Sequence, residues 1–535
     1  MQTIKMKRVI TILMSLFIAV GVNAQTKDFA ILGGELSNSA ATSVSDIDEV
    51  LPRMKAIGLN TVLVPVYWEL MEPTEGRMDF TLVDRIIDVA RQQGLKIVPL
   101  WFGAWKNSMS CYAPAWFKRD VKRFPRAVTA EGKPLEIASC FSDDVLQADL
   151  KAFSALMQHI AEKDPQREVV IMMQIENEIG MLESARDHSP LAEKAYKEER
   201  WAERYGTDDY ADEKFMALHY ARYVEHLAKA ARRIHDMPLY VNAAMNSRGR
   251  KPGEYPSAGP LAHLADIWKA GAPSIDILAP DIYDTGFKSW TSKYAMPLRP
   301  QDGGKVKNRL FIPESRCCEN SGVRALYAFG EHQALGFSPF AIDQASSKET
   351  ESVTQAYNLL SQVFNVKPQN TWGVLFDQDD KERVIDDEGV VMTCRHYFTL
   401  PWDARATDGS TWPEGGAMLI RLGKFDYLLA GSGVVVDFKT RTEKQQERLR
   451  VGLGMQQKPL GEDGFAEAGT ASQSSLSKFN GSRLGLLSVD EVTIDQQGQM
   501  QFLRRHNGDQ SHQGRHARIS VGDWKILHIQ LYEYK

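Results

Sequence analysis

The sequence predicts a (β/α)8 barrel followed by an all-β, sandwich-like domain. Three observations carry this. Eight short apolar runs alternate with helix-like stretches between about residues 28 and 345. No glycine-rich phosphate loop follows the first run, which favours a closed barrel over a doubly wound open sheet. After about residue 370 the texture changes to alternating strand-like runs broken by Gly, Asp and Asn turns.

In order, the barrel runs are "FAILGG" (29–34), "TVLVPVYW" (61–68), "KIVPLWF" (96–102) and "VVIMMQIE" (169–176). They continue with "LYVNAA" (239–244), "IDILAPDIY" (275–283), "LFIPES" (310–315) and "FSPFAID" (337–343). Between them, "VSDIDEVLPRMKAIG" (44–58) and "FTLVDRIIDVARQQG" (80–94) space apolar residues by three and four and end in Gly, as helices do. A charged segment (about 181–235) separates the fourth and fifth runs, and its "AEKAYKEERWAERYG" reads as a solvated helix. The neighbouring "ARDHSP" borders the end of the fourth run, and its His188 alone is no metal site. Beyond 370, "AMLIRLGKFDYLLAGSGVVVDF", "LGLLSVDEVTIDQQGQMQFLRR" and "KILHIQLYEY" are strand-like, while 407–416 and 461–478 read as loops. This second domain shows no aromatic platform, so a buttressing role is expected of it.

The first residues read as an export signal. Lys5, Lys7 and Arg8 precede an apolar stretch, Val9 to Val22, and Val22 and Ala24 suit a small-residue cleavage rule. That stretch is about fourteen residues, against about twenty for a membrane span. The expected division is a signal peptide at 1–24, a barrel at 25–370 and a β-rich domain at 371–535, with export to the periplasm or beyond.

The 535-residue composition is that of a globular protein, 43% hydrophobic and 25% charged, with a net charge of −5. That balance offers no electrostatic attraction for nucleic acid or an anionic membrane. Five scattered cysteines (Cys111, Cys140, Cys317, Cys318 and Cys394) form neither a disulfide framework nor a zinc pattern. Mostly buried free thiols are expected, with room for one disulfide. A homo-oligomer is compatible with the sequence.

The chemistry concentrates at strand ends, where a barrel of this class builds its site. The fourth run ends in "QIENEIG" (174–180), with Glu176, Asn177 and Glu178, and the seventh ends in Glu314 within "FIPES". Two carboxylates on different strands facing one mouth suit glycoside hydrolysis. Aromatic residues end the second, third and sixth runs: Tyr67, Trp68, Trp101, Trp105 and Tyr283. Period-two alternation puts Glu176 and Glu178 on one side of a strand, so it does not choose between them.

"QIENEIG" resembles the QxENEYG signature of glycoside hydrolase family 35, the β-galactosidases. "LGGEL" resembles that family's opening strand, "GLNTVLVPVYWELMEPTEGRMDF" (58–80) its second, and "APAWF" (113–117) its segment after the third. The resemblance covers about 30–345, and is closest to a bacterial branch with a β-rich C-terminal domain. It implies an exo-acting retaining hydrolase with Glu178 as acid/base and Glu314 as nucleophile. It also implies Asn177 on the sugar 2-hydroxyl, with Glu35, Trp105, Asn107 and Tyr283 as further substrate-binding residues. It implies no metal and no cofactor. Pro65, Met71 and Asn107 depart from the family pattern in the region that reads sugar hydroxyls. Close alternatives are therefore a β-glucosidase, β-xylosidase or α-L-arabinosidase on the same barrel, and a non-catalytic carbohydrate-binding protein. A retaining pair stands about 5–5.5 Å apart, an inverting pair about 6.5–9.5 Å.

Overall fold

Eight parallel strands close on themselves in the computed structural model, which describes residues 29–246, 249–283, 285–295, 307–400, 402–452 and 481–535. For 447–452 it describes only the backbone. The expected signal peptide and the 461–478 loop lie outside the described residues. Ile31–Lys535 form one unit.

The barrel strands are β1 (Ile31–Glu35), β2 (Thr61–Tyr67), β3 (Lys96–Phe102), β4 (Met173–Gln174), β5 (Leu239–Ala244), β6 (Ile277–Ile282), β7 (Phe311–Ser315) and β8 (Gly336–Pro339). Each pairs with the next, and β1 closes on β8 through Ile31–Gly336 and Leu32–Phe337. A helix follows each: α1 (Val44–Ile57), α2 (Thr81–Gln93), α3 (Asp143–Lys163), α4 (Asp209–Ile234), α5 (Ala265–Gly271), α6 (Phe287–Ala295), α7 (Ser321–His332) and α8 (Ser347–Val363). Helix boundaries follow local chemistry. The Ser43 hydroxyl accepts from Asp46 N at 3.2 Å to start α1, and Gly58, in the left-handed region at φ 98°, ends it. Ser346 and Glu349 form a reciprocal capping box at the start of α8.

One element is shorter than its sequence suggests. Of the apolar run 169–176 only Met173–Gln174 is regular strand. Glu176 and Glu178 adopt left-handed backbone, at φ 57° and 47°, so the chain turns at the barrel mouth instead of continuing extended.

The C-terminal half is a sandwich. Its strands are β9 (Asn370–Phe376), β10 (Glu382–Asp387), β11 (Val390–His396), β12 (Gly415–Gly423), β13 (Asp426–Ser432), β14 (Val434–Thr440), β15 (Arg483–Ile494), β16 (Met500–Arg505), β17 (Ala517–Ile519) and β18 (Lys525–Tyr534). One antiparallel sheet runs β9-β12-β13-β18-β15-β16 and the other β10-β11-β14-β17. Between them lie Val374, Leu419, Leu429 and Ile529 from the first sheet and Met392, Cys394, Val436 and Ile519 from the second. The sandwich is fastened to the barrel through α7. Arg324 on α7 makes a two-pronged bond to Glu414 at 2.8 and 2.6 Å, and Arg383 on β10 grips Glu331 at 2.6 and 3.0 Å. Gly330 of α7 lies so close to β9 that an added Cβ would stand 2.7 Å from Trp372 O. All five cysteines are free thiols. Cys394 is buried, Cys111 is exposed and the others are half-buried.

Candidate active site

The carboxyl ends of the strands gather four buried acids: Glu35 from β1, Glu178 just past β4, Asp281 from β6 and Glu314 from β7. Glu314 and Asp281 are register partners on adjacent strands. One oxygen from each of Glu178, Asp281 and Glu314 lies within 4.8 Å of the others. The expected pair is therefore brought together, although 136 positions separate its members along the chain. The trio is also the one group among the described residues with His, Cys, Asp or Glu donors at cation-binding spacing. Hard divalent cations favour all-oxygen sites but take about six or more ligands, and the trio supplies three.

Each acid is differently dressed. The Tyr283 hydroxyl donates to Glu314 Oε1, and the Asn107 amide donates to Glu178 Oε2. Asn107 is exposed and Tyr283 half-buried, so both stand at the rim. Glu178 N donates to Asn242 Oδ1 at 3.0 Å, and Asn242 Nδ2 donates to Asp281 Oδ2 at 2.7 Å. Lys106 is buried beside them with its ammonium over the Phe102 ring.

Burial, and then the charge of Glu178, push Glu314 up to about 7, while Lys106 and the Tyr283 hydroxyl pull it back. Glu35 is pushed well above the ordinary carboxylate range by burial and then by the charge of Glu314. Asp281 is raised in the same way, by burial and then by Glu314 and Glu178. Glu35, Asp281 and Glu314 thus hold protons that isolated carboxylates would release.

Glu176 is the acid that alternation could not separate from Glu178, and it belongs elsewhere. Its Oε2 accepts Trp105 N at 2.8 Å, and its neighbour is Asp149 of α3. Asp149 takes Trp101 Nε1 at 2.9 Å and the Tyr223 hydroxyl at 2.7 Å. Gly103 makes room for this layer, since a Cβ there would collide with Trp101 Nε1 and Glu176 Oε1.

The aromatic residues differ most from expectation. Trp105 is not a sugar platform: its indole is fully buried edge-on against Tyr220 and Tyr223 of α4, at 5.6 and 4.8 Å between centroids. Tyr67, Trp68 and Trp101 are buried as well, with Trp68 Nε1 bonded to Glu72. Of this set, Tyr283 places its side chain on an acid of the mouth cluster. Asn177 is wholly buried, and neither polar atom of its amide has a partner, nor does either oxygen of Glu35. Buried polar atoms in that state call for a ligand or water.

Asp281, Asn242 and Lys106 were not singled out from sequence. Asp281 carried the same signal as Glu314, a lone acid at the end of an apolar barrel run.

Residues 40–225 match a family model described as beta-galactosidase, glycoside hydrolase family 42. A second model, a domain of unknown function named DUF5597, matches residues 353–518. The chain is similar to a curated beta-galactosidase of Thermus thermophilus, at 25% identity over 279 residues, 47% of this chain and 40% of that protein. It is 30% identical over 155 residues to a beta-galactosidase of Xanthomonas manihotis, 27% of this chain and 22% of that protein. The chain thus spans less than half the length of these curated relatives. Among solved structures, a beta-galactosidase of Bacillus circulans sp. alkalophilus superposes with a TM-score of 0.47 at 15% identity, over 63% of this chain and 57% of that one. The matches support the coarse assignment, a barrel similar to those of glycosidases.

Proposed function

We propose that this chain is a retaining, exo-acting O-glycosyl hydrolase that removes terminal β-galactosyl residues from plant-type oligo- or polysaccharides. In this reading Glu178 is the acid/base and Glu314 the nucleophile. The observation that carries it is the spacing of their carboxylates, within 4.8 Å at one barrel mouth. An approach of one oxygen from each that close is compatible with a retaining pair.

The cycle follows from the surroundings of each acid. Ionised Glu314 attacks the anomeric carbon as the glycosidic C–O bond breaks, and the proton of Glu178 passes to the leaving oxygen. Water then attacks the glycosyl–enzyme, gives its proton to Glu178 and frees Glu314. The Tyr283 hydroxyl and the Lys106 charge both stabilise ionised Glu314 against the burial that raises it. In this reading the amide of Asn177, whose polar atoms have no partner, and the carboxyl of Glu35 beside Glu314 take sugar hydroxyls. The leaving group exits past Asn107 at the rim.

The finer likeness we propose is to family 35, supported by "QIENEIG" and the strand-one and strand-two segments. The family 42 match covers Glu178 and stops before Glu314. Pro65, Met71 and Asn107 favour testing glucosides, xylosides and arabinosides beside galactosides, because epimer choice rests on which buried polar groups a sugar satisfies. A panel of nitrophenyl glycosides, followed by NMR of the first anomer released, decides the matter. Release of the opposite anomer overturns the retaining assignment, and binding without turnover across the panel supports a carbohydrate-binding protein instead. We also propose export, read from the first 24 residues. The mass of the mature N-terminus tests it.

A further inference from the structure

Asp281 has no part in the two-step scheme above, yet it is tied to both acids of the pair. It is buried at the end of β6, with register partners Ala244 on β5 and Glu314 on β7. Its Oδ2 accepts Asn242 Nδ2 at 2.7 Å, and one of its oxygens lies within 4.8 Å of Glu178 and Glu314. Asn242 in turn offers its Oδ1 to Glu178 N at 3.0 Å.

We propose that Asp281 is a positioning residue for Glu178, acting through Asn242. The inference rests on the retaining-hydrolase reading given above. An asparagine amide can sit in a pocket either way round, and its neighbours decide which. A carboxyl oxygen accepts from the NH2 end, so Asp281 turns the carbonyl end of Asn242 toward β4. With the amide reversed, two donors would face each other at Glu178 N. The bond matters because Glu178 is a non-glycine residue in the left-handed region. That conformation costs about 1–3 kcal/mol and persists only where the surroundings hold it. Ser108 grips the same residue from the other side, its N and Oγ each donating to Glu178 O at 3.0 Å. Asn242 and Ser108 together clamp the peptide groups flanking the Glu178 side chain. Asp281 sets the orientation of one jaw.

Positioning of the acid/base is separable from folding and from substrate contact by choice of leaving group. A 2,4-dinitrophenyl glycoside departs without protonation, whereas an alkyl glycoside needs the proton of Glu178. With the glycone that wild type hydrolyses best, Asp281→Ala is expected to lose at least about tenfold more kcat/KM on the alkyl glycoside than on the dinitrophenyl one. Asn242→Ala is expected to show the same split, which provides a second reading if Asp281→Ala does not fold. The double variant is expected to be no worse than Asn242→Ala within about twofold, since the two act in series. Asp281→Asn, which keeps an acceptor oxygen for Asn242, is expected to recover most of the loss. Equal losses on the two substrates, multiplying losses in the double variant, or a raised KM with kcat intact each overturn the proposal. If wild type hydrolyses neither glycoside with any glycone, the hydrolase reading itself falls and this proposal with it.

Discussion

Glu176 and Glu178 lie two positions apart at the end of β4, yet they enter different carboxyl clusters. Glu176 pairs with Asp149 behind the mouth, and Glu178 joins Asp281 and Glu314 within it. An extended strand would send them the same way. Left-handed backbone at both residues breaks that alternation. The inner pair holds Trp105 N, and Trp105 O accepts Asn177 N at 3.3 Å. The loop that carries Asn107 is thereby stitched alongside the acid that it touches.

Glu314→Ala is expected to abolish turnover while the melting transition survives. Glu178→Ala is expected to cost about 10²–10⁴-fold in kcat/KM on alkyl glycosides and far less on dinitrophenyl ones, whose depressed kcat azide restores by attacking the glycosyl–enzyme. Steady-state kinetics on both substrates, with and without azide, check this. Loss of equal size on both substrates for Glu178→Ala would assign the acid elsewhere.

The pH–rate profile is expected to rise on its acid side near pH 7. Burial and the charge of Glu178 hold Glu314 up to about 7, and Glu314 must be ionised to attack. Tyr283→Phe removes a donor that favours ionised Glu314. It should lower the rate below neutral pH and move the acid limb upward by about one unit, because a hydrogen bond to a charged group is worth about 1.5–3 kcal/mol. An unmoved limb would disconnect Tyr283 from the titrating pair.

Stability carries the same signature with a definite sign. Between the ordinary carboxylate value of 4.5 and about 7, folded Glu314 binds a proton that the unfolded chain has released. Stability therefore falls as pH rises through that window. Glu314→Gln cannot ionise. It is expected to lose this slope and to melt above wild type at pH 8 by more than it does at pH 4.5. Parallel melting curves across the range would refute the shift.

Glu176→Ala leaves Trp105 N without its acceptor in a buried layer, at a cost of about 1–3 kcal/mol. Glu176→Gln keeps an acceptor for Trp105 and a donor for Asp149, so it should stay within about 1 kcal/mol of wild type in urea melts. If Glu176 were instead the acid/base, the Gln variant would be inactive while remaining stable.

Gly330→Ala forces a methyl group against Trp372 O, where α7 meets β9. Overpacking of this kind costs about 1–3 kcal/mol, which denaturant melts can measure. Because the contact joins barrel to sandwich, the loss should appear in both the tryptophan fluorescence and the far-ultraviolet transition. An unchanged midpoint would show that α7 can shift freely.

Much of this arrangement was legible from the chain alone. Apolar runs of six to nine residues between amphipathic helices can bury both faces only in a sheet covered by helices, and eight of them close a barrel. A glutamate ending such a run, as in "FIPES", is carried to the carboxyl end of the barrel. The fate of Trp105 was not legible, because Tyr220 and Tyr223 of α4, far along the chain, decide whether that ring is wall or platform. Asn242 was equally silent: an amide in "LYVNAA" gains meaning only from the carboxyl beside it.

By itself the sequence determined the class of fold, the two-sheet character of the C-terminal half and which strand ends carry acids, since these follow from local periodicity. Only the tertiary structure decided which acids share protons. Charge coupling depends on distances of a few ångströms between residues far apart in the chain, and the left-handed turns at Glu176 and Glu178 set those distances where strand periodicity ends.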